Sequence, residues 1–190
     1  VTTTAGAGRQ APTADDVALL LHTSGTTSRP KQVPLRHRNL MASARAIARH
    51  YELSAEDVSY CAMPLFHVHG LVASTLAQLA AGGLVLVPRR VAPARFWSHV
   101  EEHGVTWYSA SPTLHQMFLE RAPAGVEATR LRFVRSCSSA MAPELAARIE
   151  RQLGAPRGAV DRILELRAAV LGDPLLAVVQ VAVGPGKVAP

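Results

Sequence analysis

The sequence predicts an α/β protein with a layered, largely parallel sheet and flanking helices, and three observations lead there. Short apolar runs alternate with stretches whose apolar residues recur every three or four positions. Proline and glycine punctuate that alternation, Pro112 opening one helical stretch while Gly104 and Gly154 close two others. The 190 residues are 48% hydrophobic and 18% charged, enough apolar material for a packed core and too much for a disordered chain.

Taken in order, residues 1–14 are small, polar and aperiodic and read as a linker or frayed end. Residues 16–22 form a short apolar run after a polar loop, the pattern of a buried strand. The loop from Thr23 to Lys31 comes next. Leu40, Ala44, Ile47, Ala48 and Tyr51 then mark an amphipathic helix that carries Arg38, Arg45 and Arg49 on its other faces. Strands are expected over 58–63, 84–87, 105–109 and 131–136, and helices over 71–81, 93–103, from Pro112 onward, and 143–153. The main unit spans residues 15–156, and there is no internal repeat.

The net charge of +6 is concentrated in one stretch. Between Val17 and Tyr51 stand Arg29, Lys31, Arg36, Arg38, Arg45 and Arg49 with no Asp or Glu, so this segment attracts anions. Lys31 and Lys187 are the only lysines against 18 arginines, which makes Lys31 a departure from the local habit. Little aromatic interleaving accompanies the cations, so nucleic acid is not an expected partner. Two cysteines, Cys61 and Cys137, do not make a disulfide framework or a four-ligand zinc site and fit a reducing compartment.

No apolar run reaches the length of a membrane span. The N-terminus has no initiator Met and no signal-peptide core, and it reads as a start inside a larger protein. The last residues, Val188-Ala189-Pro190, are not a peroxisomal address, so a cytoplasmic location is expected. Nothing in the sequence bears on the oligomeric state.

The loop Thr23-Ser24-Gly25-Thr26-Thr27-Ser28-Arg29-Pro30-Lys31 packs hydroxyls, a glycine and two cations directly behind an apolar run. Hydroxyls and backbone N–H groups bind phosphate oxygens, Gly25 lets the backbone approach, and cations offset polyphosphate charge. A nucleoside triphosphate suits that inventory. It is not a Walker loop, because Pro30 and Gln32 stand where Gly and Ser or Thr would be needed. Metal and nucleophilic chemistry find little support elsewhere in the sequence. His99-Val100-Glu101-Glu102-His103 fits a zinc-peptidase pattern but has no third ligand in view, and no Gly-x-Ser-x-Gly elbow is present, so no metal site is expected.

The string HTSGTTSRPKQVPL resembles the phosphate-binding signature of the adenylate-forming, AMP-binding enzymes: acyl-CoA synthetases, peptide-synthetase adenylation domains and luciferases. Ser28 and Gln32 stand where that signature has glycines, and Ser28-Arg29 is similar to the variant in the oxalate-CoA ligase group. Three further segments follow in family order. Pro64-Leu65-Phe66-His67-Val68-His69-Gly70 resembles the element whose His lies beside the acyl pocket. The segment from Thr106 to Gln116 is similar to the oxalate-CoA ligase group, and Arg135-Ser136-Cys137-Ser138-Ser139-Ala140-Met141-Ala142-Pro143 stands in the place of the adenine-side segment.

The resemblance implies an acid-CoA ligase, possibly for oxalate, that joins a carboxylate to the α-phosphorus of ATP and passes the acyl group from AMP to coenzyme A. It places Thr23, Ser24, Gly25, Thr26, Thr27, Ser28 and Lys31 on the β- and γ-phosphates and Ser138, Ser139 and Ala140 along the adenine. It assigns His67, with His69 and Gly70, to the carboxylic acid, and Lys31 and His67 to catalysis. After Gly154-Ala155-Pro156 the family pattern would continue into Tyr-Gly-x-Thr-Glu, which serves phosphate and Mg²⁺; here the chain diverges, so the usual Mg²⁺ contacts are missing. Residues 157–190 stand off the pattern, with a helix expected over 160–170 and a strand over 175–183. The expectation is therefore an N-terminal-domain fragment of weak or no activity. A non-catalytic nucleotide-binding or interaction remnant is the alternative.

Overall fold

The computed structural model of the chain describes residues 11–23, 31–126 and 130–153. Two antiparallel strands come first, β1 (Val17–Thr23) and β2 (Lys31–Arg36), paired from Val17 opposite Arg36 to Thr23 opposite Lys31. The expected strand is present but not buried: Val17 and Leu20 are each 54% exposed, because only one side of a two-stranded hairpin is covered, through Leu19 and Leu21. β2 is an addition to the sequence reading. Pro34 interrupts its apolar pattern, and a proline is tolerated in such an edge position because no ladder donor is lost in a sheet interior.

Helix α1 (His37–His50) begins where Asn39 Oδ1 accepts a hydrogen bond from the Arg36 N–H at 3.0 Å, and it carries Arg49 and His50 in its last turn, where cations offset the helix dipole. Leu40, Ala44 and Ile47 make its buried stripe, and Leu40 and Ile47 join Leu35 of the hairpin in one apolar cluster. Asp15 anchors the entry to this helix through Arg36 at 3.2 Å and through Arg38.

The rest of the chain builds a parallel sheet in the order β4-β3-β5-β6. Its strands are β3 (Val58–Cys61), β4 (Leu84–Leu86), β5 (Trp107–Ala110) and β6 (Phe133–Ser136), with Tyr60 level with Leu86 and Tyr108, and Tyr108 level with Val134. β5 is buried at every position, as a central parallel strand covered on both faces must be.

Alternation then sorts the side chains. Tyr60, Tyr108, Ala110 and Val134 enter one core with α3 (Phe96–Glu102), α4 (Pro112–Leu119) and α5 (Pro143–Leu153). Phe96 and Phe118 stack in its centre, ring centroids 3.9 Å apart and 5° from parallel. On the opposite face, Trp107 and Phe133 meet Tyr51 at the end of α1.

The crossover from β3 to β4 runs through a π-helix (His69–Leu76) and α2 (Ala77–Ala80), whose Val72, Ala73 and Ala77 lie in the α1 cluster. The next crossover passes back over β3 to reach β5, and its helix α3 lies on the other face. Chain direction across the sheet therefore reverses between β3 and β5. In open α/β sheets that reversal opens a crevice at the carboxyl ends of the strands, where ligands bind.

Candidate functional site

β3 ends at Cys61, and the segment from Pro64 to Gly70 folds over the carboxyl edge of the sheet. The His67 N–H donates to the Pro64 carbonyl at 3.0 Å, and the Leu71 N–H donates back to the His67 carbonyl at 3.0 Å. Gly70 is fixed by close approach. A Cβ there would lie 2.6 Å from the Met63 carbonyl oxygen and collide with that of Pro64. The carbonyl of Gly70 accepts from Thr75 Oγ1 at 2.9 Å inside the π-helix, a wider turn that recurs at functional sites.

The two histidines of this segment part company. His67 is exposed beside Phe66, which is itself 79% exposed. His69 turns inward, and its Nε2 shares a 2.7 Å hydrogen bond with Ser109 Oγ near the end of β5, across the point of chain reversal. The Ser109 hydroxyl also reaches the Arg135 carbonyl of β6 at 3.4 Å, so one oxygen links the imidazole to β6. Burial, with help from the Arg135 charge, pushes the His69 pKa down to about 4, and the ring is neutral at pH 7.

Arg135 is 3% exposed, and its guanidinium carbon lies 4.5 Å from the centre of the Tyr51 ring. Burial raises the Tyr51 pKa while the Arg135 charge works against that rise. The Nε of Arg135 has no hydrogen-bond partner among the described residues. On the other side of β6, His115 is hydrogen-bonded to Tyr108 Oη at 3.2 Å and to the Arg135 carbonyl at 3.0 Å. Burial holds its pKa down at about 4 as well.

β6 leads into Ser138, Ser139 and Ala140, all exposed at the same edge. The Cys137 N–H donates to the Ala110 carbonyl at 3.0 Å, the Ser139 N–H donates to the Cys137 carbonyl at 2.9 Å, and Ser138 is held at φ 73°. Ser111, next to Ala110, caps α4 by accepting from the Leu114 N–H at 3.4 Å, with Pro112 at the first helical position. Segments that are far apart in sequence thus meet on one edge.

Of the residues expected on the β- and γ-phosphates, Ser24, Gly25, Thr26, Thr27 and Ser28 lie outside the described residues. Residues 157–190, with the expected helix and strand, lie outside them too. Thr23 and Lys31 are paired across the hairpin. The hairpin's Leu19, Leu21 and Val33 share an apolar cluster with Val68 and Leu71, on either side of His69. His99 and His103 have ring centroids 6.0 Å apart on α3, and His103 stands where the chain returns to the amino edge of β5. Among the described residues no three His, Cys, Asp or Glu side chains converge as a metal site.

Sequence reasoning did not single out Ser109, Arg135 or Tyr51. The available signal was Arg135 itself, a cation inside an apolar strand run.

A family model described as AMP-binding enzyme matches residues 3–163. The chain belongs to the AMP-binding enzyme family. It is 47% identical over 146 residues to an oxalate–CoA ligase of Arabidopsis thaliana, covering 75% of this chain and 28% of that protein. It is 45% identical over 141 residues to an oxalate–CoA ligase of Saccharomyces cerevisiae, covering 74% and 26%. The chain thus spans little more than a quarter of these relatives.

Among solved structures, apo MatB from Rhodopseudomonas palustris matches with a TM-score of 0.69 and 26% identity, over 83% of this chain and 30% of that one. A malonyl-CoA ligase with methylmalonyl-CoA and AMP bound matches with a TM-score of 0.68 and 30% identity, over 77% and 33%. The AMP-binding family assignment and the α/β sheet expected from the sequence agree. No helix among the described residues is long and apolar enough to cross a membrane.

Proposed function

We propose that this chain carries part of the site of an ATP-dependent acid-CoA ligase whose acid is a small dicarboxylate such as oxalate. The observation that carries the reading is the convergence at the carboxyl edge. The segments of His67 and His69, of Ser109, and of Ser138 to Ala140 come from three parallel strands and meet where the chain reverses, in a member of the AMP-binding family.

In this reading a carboxylate oxygen attacks the α-phosphorus of ATP, the bond from that phosphorus to the β-phosphate oxygen breaks, and pyrophosphate leaves. The sulfur of coenzyme A then attacks the acyl carbon and AMP departs. Neither step needs a side-chain nucleophile, only cations and donors aimed at the phosphate oxygens. Thr23 to Ser28 and Lys31 take the β- and γ-phosphates, Ser138, Ser139 and Ala140 flank the adenine, and His67, His69 and Gly70 border the acid. The described residues offer no ligand set that fits Mg²⁺, so no step is assigned to it.

The test is calorimetry with MgATP and with AMP, together with acid-dependent pyrophosphate release, on the wild-type chain, Lys31→Ala and His67→Ala. Lys31→Ala should weaken MgATP binding about 10-fold or more, the loss of one charge-assisted contact, and leave AMP binding nearly unchanged. His67→Ala should lower pyrophosphate release and spare nucleotide binding. Equal behaviour of all three proteins overturns the residue assignments, and nucleotide binding without any pyrophosphate release selects the non-catalytic alternative.

A further inference from the structure

Two arginines stand at β6, Arg132 just before it and Arg135 within it, and the fold treats them differently. Arg132, at the amino end, is 41% exposed and has a carboxylate partner in Asp57 at 3.0 Å. Arg135 is 3% exposed and has no carboxylate partner among the described residues. A guanidinium taken out of water is costly unless an anion offsets the loss of hydration. The Tyr51 ring, 4.5 Å from the guanidinium carbon, offsets part of it through its π face. Nε still has no partner, and the planar donor set of an arginine suits a carboxylate held by two parallel hydrogen bonds.

Position supplies the second argument. Arg135 lies near the carboxyl end of β6, and its carbonyl accepts from the Ser109 hydroxyl that is also bonded to His69, the histidine at the point of chain reversal. The neutral His69 ring adds no competing positive charge at pH 7. We infer that Arg135 receives the second carboxylate of a dicarboxylic acid whose first carboxylate is activated beside His69, and so selects dicarboxylates over monocarboxylates. This rests on the acid-activation reading above and assigns the selectivity of that same site. A monocarboxylate of similar size leaves the buried guanidinium unpaired, and a site built for a polar partner rejects the analogue that lacks it.

Side-chain ¹⁵N NMR of the whole chain follows the Arg135 Nε–H resonance, assigned by its absence in Arg135→Gln, during titration with oxalate, acetate and MgATP. Oxalate should shift that resonance and acetate should not. Calorimetry should show oxalate bound about 10- to 100-fold more weakly by Arg135→Gln, with acetate unchanged and Arg135→Lys recovering part of the loss.

Equal oxalate affinity in wild type and Arg135→Gln overturns the inference, as does a loss shared by acetate or a resonance that follows MgATP alone. Should Arg135→Gln fail to fold by circular dichroism, the resonance is assigned with Arg135→Lys and the wild-type titration decides. A chain that binds MgATP but not oxalate overturns this inference and leaves the nucleotide reading standing; a chain that binds neither overturns both.

Discussion

At the amino edge of the parallel sheet, Asp57 accepts from the Ser54 N–H at 3.0 Å, from Thr106 Oγ1 at 2.7 Å and from Arg132 Nη1 at 3.0 Å, tying the starts of β3, β5 and β6 together. At the carboxyl edge, Arg135 is just as buried and meets an aromatic face instead of an acid, while His69 and His115 are kept neutral beside its strand. The same sheet thus closes its charges on one edge and leaves them open on the other. Burial of a charge does not by itself say what the charge is for; its partner does.

Acid sharpens the contrast most. His69 and His115 have pKa values near 4 in the fold against an ordinary 6.5, so protonation favours the unfolded chain. Their contribution is complete above pH 6.5 and is withdrawn as the pH falls from 6.5 to 4, at about 3 kcal/mol for each ring. Urea unfolding at pH 7 and pH 4.5 should show this loss, and His115→Asn should flatten the slope. A stability independent of pH over that range would mean that the carboxyl edge is open to water after all.

Asp57→Ala tests the other edge and should cost about 3 kcal/mol in urea unfolding, since it strands the donors of Ser54 and Thr106 together with Arg132. A cost below about 1 kcal/mol would break the comparison at its structural end. Gly70→Ala should cost about 2 kcal/mol in thermal unfolding, because the added Cβ meets the Met63 and Pro64 carbonyls, and backbone must move to admit it. Smallest is Arg135→Gln, which should change stability by less than about 1 kcal/mol, since it removes a buried charge that has no acid partner. A large loss there would make Arg135 as structural as Asp57.

Much of this architecture was legible because parallel strands and their helices carry strong local signals. Helix α5 has the bounds that its proline start and apolar stripe imply, and Pro112 opens α4 where a missing N–H does no harm. The misses have local causes too. The apolar run of β1 suggested burial, but burial depends on what covers each side, and a hairpin covers only one. Pro34 hid β2, and nothing in the composition of residues 69–76 encodes the wider hydrogen bonding of a π-helix.

At the site, the motif containing His67 and His69 was visible, but the inward turn of His69 depends on Ser109, forty residues away. Arg135 belonged to a recognised segment without standing out in it. Its meaning comes from Tyr51, which looked like one more apolar residue of a helix until the end of α1 was seen against β6.

Ser138 has a consequence for how a ligand would be met. A serine at φ 73° occupies a conformation that glycine would adopt freely, at a cost of about 1 kcal/mol that the rest of the fold sustains. The bend after β6 is therefore set in advance, clasped by the Ala110 and Cys137 carbonyls. Under the proposed adenine-side role, a flat ring arriving at that edge would find a preformed ledge and need not freeze a wandering segment, so little entropy would be lost there on contact.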